Sequence, residues 1–428
     1  MRIDAPRGLI NLCFFLCFFP NARIIPGITA EVQPAAAIVA FFVLLICGVR
    51  RGRVSMAAGA LSLLLVCYTV VSVFRGVPAL GAVLDLTAYL APLTIFLALR
   101  QNIRLLAPKF FVAATVIHFF VGTLQAAGVM PFRHEIASVI PRFDSVYASG
   151  GAAFLTSEPS YGAQILALIV ATDMLLFWRG KLSGLSCIAI ALVSVVMLVE
   201  NRSSTAMVLM GAYGAVLLLF YGPRWFRRHP LSASAGLIAV IAGLCSIVSY
   251  INSGAADDQR YAETIMLLES MPLDQLTSYR GLGLLAEARL ISDIVGYKAM
   301  FDWYGVGHGV DSYAIDGNKI YEVVDLPSGD CKVLAGLKDC QSKPQSYGAQ
   351  IALDAGAAGL CLLLYVAVLA ALAAKSPRST SGTACRGVKC GIISVALLLL
   401  FLDGTTAMPA PWVMLAEASV LASDRPPD

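Results

Sequence analysis

The amino-acid sequence predicts an all-α integral membrane protein. Three observations carry that expectation: an extreme apolar composition, apolar runs of membrane-span length along nearly the whole chain, and basic residues that gather in alternate connections. Of the 428 residues, 58% are hydrophobic and 14% charged, and the mean hydropathy is +0.77. Soluble domains carry roughly one quarter charged residues, and bilayer solvent accounts for the difference. Only one polar stretch reaches the size of a domain, so the expected organisation is one membrane domain with one large loop.

A helix crossing the hydrocarbon core needs about 20 apolar residues, because a backbone amide or carbonyl left unpaired in lipid costs several kcal/mol. About twelve runs fit, at 9–25, 34–49, 54–74, 79–99, 107–129, 157–178, 182–199, 203–221, 231–251, 346–374, 388–402 and 405–421. Arg2 and Arg7 ahead of the first run, with the small-residue stretch Ile28-Thr29-Ala30 behind it, have the outline of a signal peptide. Pro20 and Pro26 interrupt the run before any clean cleavage site and another run follows at once, so an uncleaved first helix is expected.

Orientation follows from the preference of Lys and Arg for cytoplasmic connections. With both termini in the cytoplasm, that side holds Arg50, Arg51 and Arg53; Arg100, Arg104 and Lys109; Arg179 and Lys181; Arg224, Arg227 and Arg228; and Lys375, Arg378, Arg386 and Lys389. The opposite short connections hold only scattered Arg23, Arg75, Arg133, Arg142 and Arg202. The chain then divides into nine spans within 1–251 with a short periplasmic loop at 130–156, a large periplasmic loop at 252–345, and three spans with a cytoplasmic tail in 346–428.

Most of the eleven cysteines fall inside apolar runs, where a small buried hydrophobe is the plain reading. Cys331 and Cys340 instead sit in the large external loop, where an oxidising compartment permits a disulfide between them. With four histidines and no Cys-x-x-Cys pair, no structural zinc site is expected.

Four external features carry candidate chemistry. Pro141-Arg142-Phe143 leads to Ser157-Glu158-Pro159-Ser160-Tyr161 at the start of the sixth span. Asn201-Arg202-Ser203-Ser204 joins the seventh and eighth spans. Arg280 and Arg289 precede Gly305-Val306-Gly307-His308-Gly309 in the large loop. Gln345-Ser346-Tyr347 opens the tenth span, followed by Asp354, Gly356 and Gly359.

Each has a plainer reading. Arg202 can snorkel from a helix end, and Arg142 can be an ordinary loop charge. Arg280 and Arg289 can be the solvated face of an amphipathic loop helix whose apolar side is Leu284, Leu285, Leu290 and Ile291. Ser157 can cap the sixth helix, with Pro159 in its first turn and Glu158 at the positive end of its dipole. The three glycines fit a tight turn better than a phosphate loop, since the strand and helix context is missing. Among carboxylates in the spans, Asp85, Asp173, Asp354, Asp403 and Glu417 are costly to bury and stand out for that reason.

The chemical reading is recognition of a pyrophosphate at the membrane surface. A guanidinium offers paired planar donors that match phosphate oxygens and never loses its charge. If a glycosidic carbon is attacked while its pyrophosphate leaves, fixed arginines stabilise the growing negative charge, and a carboxylate such as Glu158 takes the proton of the attacking hydroxyl.

The architecture, with Ser157-Glu158-Pro159-Ser160, Arg202-Ser203, and Arg289 followed by Gly305-Val306-Gly307, resembles the O-antigen polymerase and O-antigen ligase superfamily. The resemblance implies a C-type glycosyltransferase-like fold of about twelve spans, no metal or nucleotide cofactor, and inverting transfer from undecaprenyl-pyrophosphate-linked glycan at the periplasmic face of the bacterial inner membrane. It implies Glu158, Arg202 and Arg289 as catalytic residues and Arg142, Arg280, His308 and Gln345 as substrate-binding residues. The implied partners are the lipid-linked glycan, membrane lipid, a flippase and a chain-length regulator, and not nucleic acid. Ligases of the superfamily open the span after the large loop with His, a polar residue, nine residues, Gly, two residues and a small position. Gln345-Ser346, Gly356 and Gly359 fit that spacing, but Gln345 stands where the histidine would be and cannot serve as a base near neutral pH. The expectation is therefore a polymerase; a ligase, with His308 substituting, is the first alternative and a lipid-linked oligosaccharide transporter the second.

Overall fold

The computed structural model describes residues 5–24, 31–49, 52–129, 131–143, 152–201, 203–228, 287–302, 304–311, 344–372, 382–402 and 404–420. They form α1 (Ala5–Leu16), α2 (Ala35–Cys47), α3 (Arg53–Phe74), α4 (Ala79–Asn102) with a 3-10 turn (Ile103–Leu105), α5 (Pro108–Ala126), α6 (Arg133–Val139), α7 (Pro159–Trp178), α8 (Gly184–Asn201), α9 (Ser204–Arg228), α10 (Glu287–Asp302), α11 (Tyr347–Leu372), α12 (Gly382–Phe401) and α13 (Ala410–Val420). No strand occurs among the described residues.

Local chemistry sets several of these bounds. Pro108 and Pro159 occupy the first turns of α5 and α7, where the missing N–H costs nothing. The α1 helix stops at Leu16 because a helix continued through Pro20 would press the proline ring on the carbonyl four residues back. The first expected run, 9–25, therefore yields a short helix followed by turns, with Gln33 N–H closing back on the Pro20 carbonyl at 2.7 Å.

Among the described residues, six helices are long and apolar enough to cross a membrane: α3, α4 with its 3-10 turn, α5, α7, α8 and α11. They match six of the expected runs. Shorter apolar helices occupy Pro6–Leu16, Ala35–Cys47, Val208–Leu219 and Gly387–Phe401, and α13 has only 11 residues. The expected ninth span, 231–251, lies outside the described residues, as does most of the expected loop 252–345.

Burial separates inner from outer helices. In the apolar window of α7, 78% of residues are buried, against 28% for α5 and α8. α7 is thus wrapped by protein, packing on α8, α9 and α13, while α5 and α8 turn large apolar side chains outward. Phe74, Phe120, Leu185 and Leu192 are among the many exposed apolar residues, an outer surface suited to lipid rather than water. The interior is aromatic: Tyr347 lies edge-on to Tyr89 and Trp412 at 5.5 and 5.1 Å between centroids, and Phe96 packs on Trp412 at 5.6 Å. This joins α4, α11 and α13 in one core.

Candidate functional site

Two polar groups form where helices end. The first lies at the start of α7. Glu158 is the residue before the first helical turn, in extended conformation, and its side chain makes no capping bond to the helix. Its Oε1 instead accepts from Arg142 at 2.8 Å. The same guanidinium nitrogen lies 3.3 Å from Glu31 Oε1. Ser157 makes no helix cap either: its hydroxyl donates to Glu31 Oε1 at 3.0 Å and accepts from Asn21 at 3.2 Å. Tyr161 O–H reaches Glu31 Oε2 at 3.5 Å, and Asn21 also donates to the Glu31 carbonyl at 2.9 Å. Of the capping alternative, Pro159 takes the first-turn position and Glu158 the N-cap position, while neither the Ser157 nor the Glu158 side chain bonds the helix N–H groups.

Side-chain exposures of 60% for Arg142, 30% for Glu31 and 24% for Glu158 leave the group reachable from outside the bundle. Arg142 itself sits in the left-handed backbone region, with φ 59°, a conformation uncommon for a residue with a Cβ.

The turn between α8 and α9 is stitched to this group. Asn201, the residue before Arg202, donates to the carbonyls of Ala152 and Pro159 at 2.7 and 2.9 Å, and Ala152 N–H bonds the Glu200 carbonyl at 2.9 Å. The close approach requires Gly162, where an added Cβ would sit 2.9 Å from the Asn201 amide nitrogen. Arg202 itself, like Arg280, Cys331 and Cys340, lies outside the described residues.

The second group joins α10 to α11. Asp293, buried in α10, accepts at Oδ1 from the backbone N–H groups of Gln345 and Ser346 at 2.7 and 2.8 Å. It supplies the negative charge that a helix N-terminus favours. Ser346 completes the cap by accepting from Ala349 N–H at 3.2 Å. Tyr297 and Ser346 both donate to the Phe401 carbonyl, at 2.7 and 3.1 Å. Burial pushes the Tyr297 hydroxyl pKa above its ordinary value, so it remains a donor. Arg289 lies one helical turn before Asp293 and so shares its side of α10; its side chain is outside the described residues.

His308 belongs to a loop docked on α11. That helix breaks at Gly356, which has φ 64° and ψ −158°. The carbonyls of Leu353 and Asp354, deprived of helical donors there, accept from His308 and Gly309 N–H at 2.8 and 2.9 Å, and Ala357 N–H bonds the Gly305 carbonyl at 2.9 Å. An added Cβ at Gly307 would meet Asp354 and Ala355 backbone, and one at Gly356 would meet Gly305, Val306 and Gly307. Gly307 is more than part of a tight turn: opposite Gly356, it lets one backbone lie against another, while Gly309 sits against the Ser72 side chain. Arg75 holds the loop from the α3–α4 connection by donating to the His308 carbonyl, and Tyr89 O–H donates to the buried Asp354 carboxylate.

Glu158 and Arg142 thus meet in one cluster, and Gln345 lies at another junction, bonded through its N–H to Asp293. His308 bonds α11 at Leu353, eight residues beyond Gln345, or about 12 Å along a helix. Glu31 and Asp293 were not singled out from the sequence. A lone acidic residue between two apolar runs, or within an amphipathic segment, carries no local signal; only the fold brings their partners. Together the described helices and these end clusters define an all-α membrane protein with polar groups at the helix ends. No protein-family model matches the chain, and no curated protein matches its sequence.

Proposed function

We propose that this protein is a polysaccharide polymerase of the bacterial inner membrane, joining undecaprenyl-pyrophosphate-linked oligosaccharide repeat units at the periplasmic face. The observation that carries the reading is the cluster at the start of α7: the Glu158 carboxylate meets Arg142 at one oxygen and the Ser160 hydroxyl at the other, and the residue before Arg202 is tied to Pro159. Two separate sequence patterns thereby share one accessible end of the bundle.

In the proposed reaction an acceptor hydroxyl attacks the anomeric carbon of the lipid-linked donor. A new C–O bond forms on one face as the bond to pyrophosphate breaks on the other, so configuration inverts. Glu158 takes the hydroxyl proton, and the bonding pair leaves with undecaprenyl pyrophosphate. Arg202 and Arg289 neutralise the charge growing on that leaving group, Arg142 orients Glu158, and Arg280 and Gln345 contact substrate. The whole assembly has about twelve spans, both termini in the cytoplasm and the 252–345 loop outside.

Gln345 at the α10–α11 junction favours polymerisation over ligation, and the separation of His308 from that junction speaks against its serving in Gln345's place. The break in α11 has the outline of a transporter ion site, but loop backbone takes up the Leu353 and Asp354 carbonyls at the break, which fits a docking joint better. A strain deleted for the gene tests the reading: accumulation of glycan limited to a single repeat is expected, whereas long chains collecting on undecaprenyl pyrophosphate would overturn it in favour of a ligase.

A further inference from the structure

Glu31 is far in sequence from every residue assigned above, yet it receives three side chains of the α7 cluster. Ser157 and Tyr161 donate to its two oxygens at 3.0 and 3.5 Å, and Arg142 lies 3.3 Å from Oε1. Its own carbonyl is held by Asn21, which also bonds Ser157. The carboxylate is therefore fixed from both its ends, by the turn after α1 and by the first turn of α7. One guanidinium nitrogen of Arg142 spans Glu31 and Glu158, the latter at 2.8 Å.

We infer that Glu31 is a positioning residue for Glu158, acting through Arg142. Two hydroxyls and the Arg142 guanidinium engage its oxygens, which suits a role in holding the cluster together. Its contribution is to hold Arg142 from one side, at the same guanidinium nitrogen that meets Glu158. Arg142 in turn sets the direction of the Glu158 oxygen that it binds. Removing the Glu31 charge takes one of two carboxylates from the nitrogen that Arg142 shares between Glu31 and Glu158, and the proton acceptor loses alignment while the surfaces that bind substrate stay in place. The inference rests on the polymerase reading.

The test uses the full-length protein in lipid nanodiscs with lipid-linked repeat units extracted from the deletion strain. For Glu31→Gln, kcat for elongation is expected to fall at least tenfold, with KM for the repeat unit within about twofold of wild type. Glu31→Asp, which keeps the charge on a shorter arm, is expected to recover part of that loss. A Glu31→Gln protein with unchanged kcat, or one whose KM rises while kcat holds, overturns the positioning role. If wild-type protein fails to elongate the extracted units, the polymerase reading fails and the inference with it. A Glu31→Gln protein that loses its melting transition is replaced by Ser157→Ala with Tyr161→Phe, which strips two donors from Glu31 and is expected to lower kcat in the same direction; unchanged kcat there overturns the inference.

Discussion

At the residue scale, the ion pair between Arg142 and Glu158 is partly exposed, so its worth is in direction rather than stability. Exposed pairs contribute at most about 1 kcal/mol. Arg142→Ala should leave the melting temperature of the purified protein nearly unchanged while reducing elongation strongly. Glu158→Gln should lower kcat by about two orders of magnitude or more, the scale of a lost general base, measured on the same lipid-linked units. Retained activity in Glu158→Gln would assign the proton elsewhere. Sequence position singles out both residues because they stand beside a span start, and the structure pairs them. Glu31 is not singled out: its hydroxyl partners are 126 and 130 residues away, and nothing local distinguishes it. Ser157 was legible as a polar residue at a helix start, but its partner was not, since capping and a distant carboxylate compete for the same hydroxyl.

Among the helices, the joint between the 304–311 loop and α11 depends on glycine. Ala at position 356 would need a positive φ with ψ −158°, a region essentially confined to glycine that costs about 1–3 kcal/mol, and its Cβ would meet Gly305 and Gly307 backbone. Gly356→Ala should therefore destabilise the protein by at least about 2 kcal/mol, read as a lowered unfolding transition in detergent and faster proteolysis near residues 304–311. Asp293→Ala should also destabilise, by about 2 kcal/mol, by stripping a charged acceptor from two N–H groups at the α11 start; Asp293→Asn should cost less because it keeps an acceptor. Hydropathy showed where α11 would lie, and the spacing of Gly356 and Gly359 marked it as unusual. It did not show the break, because a run of Ala, Gly and Leu reads as continuous helix until another backbone competes for its carbonyls.

For the whole molecule, the six span-length helices and the outward apolar side chains agree with what composition and periodicity had indicated. The shorter helices α1 and α13 were less legible. In α1 a proline stops the helix, and α13 is buried along its length, so its apolar character reflects the core as much as lipid. The two ends of α7 also differ in kind. Glu158 and Arg142 lie at its start, whereas beyond its C-terminus Arg179 donates to the Ile103 carbonyl at 3.2 Å and Lys181 to those of Arg104 and Leu106 at 2.8 and 2.6 Å. In the proposed topology the latter end is the cytoplasmic one. Single cysteines placed at His134 and at Arg104 should be labelled by a membrane-impermeant maleimide from the periplasm and only after permeabilisation, respectively; the reverse pattern would invert the topology. The most direct measurement of the central claim is elongation by the purified protein, supplied with extracted lipid-linked repeat units and no added metal or nucleotide. A ladder of longer lipid-linked glycans, lost in a folded Arg202→Ala protein, is the predicted result; repeat units left at their starting length, or full elongation by Arg202→Ala, would contradict it.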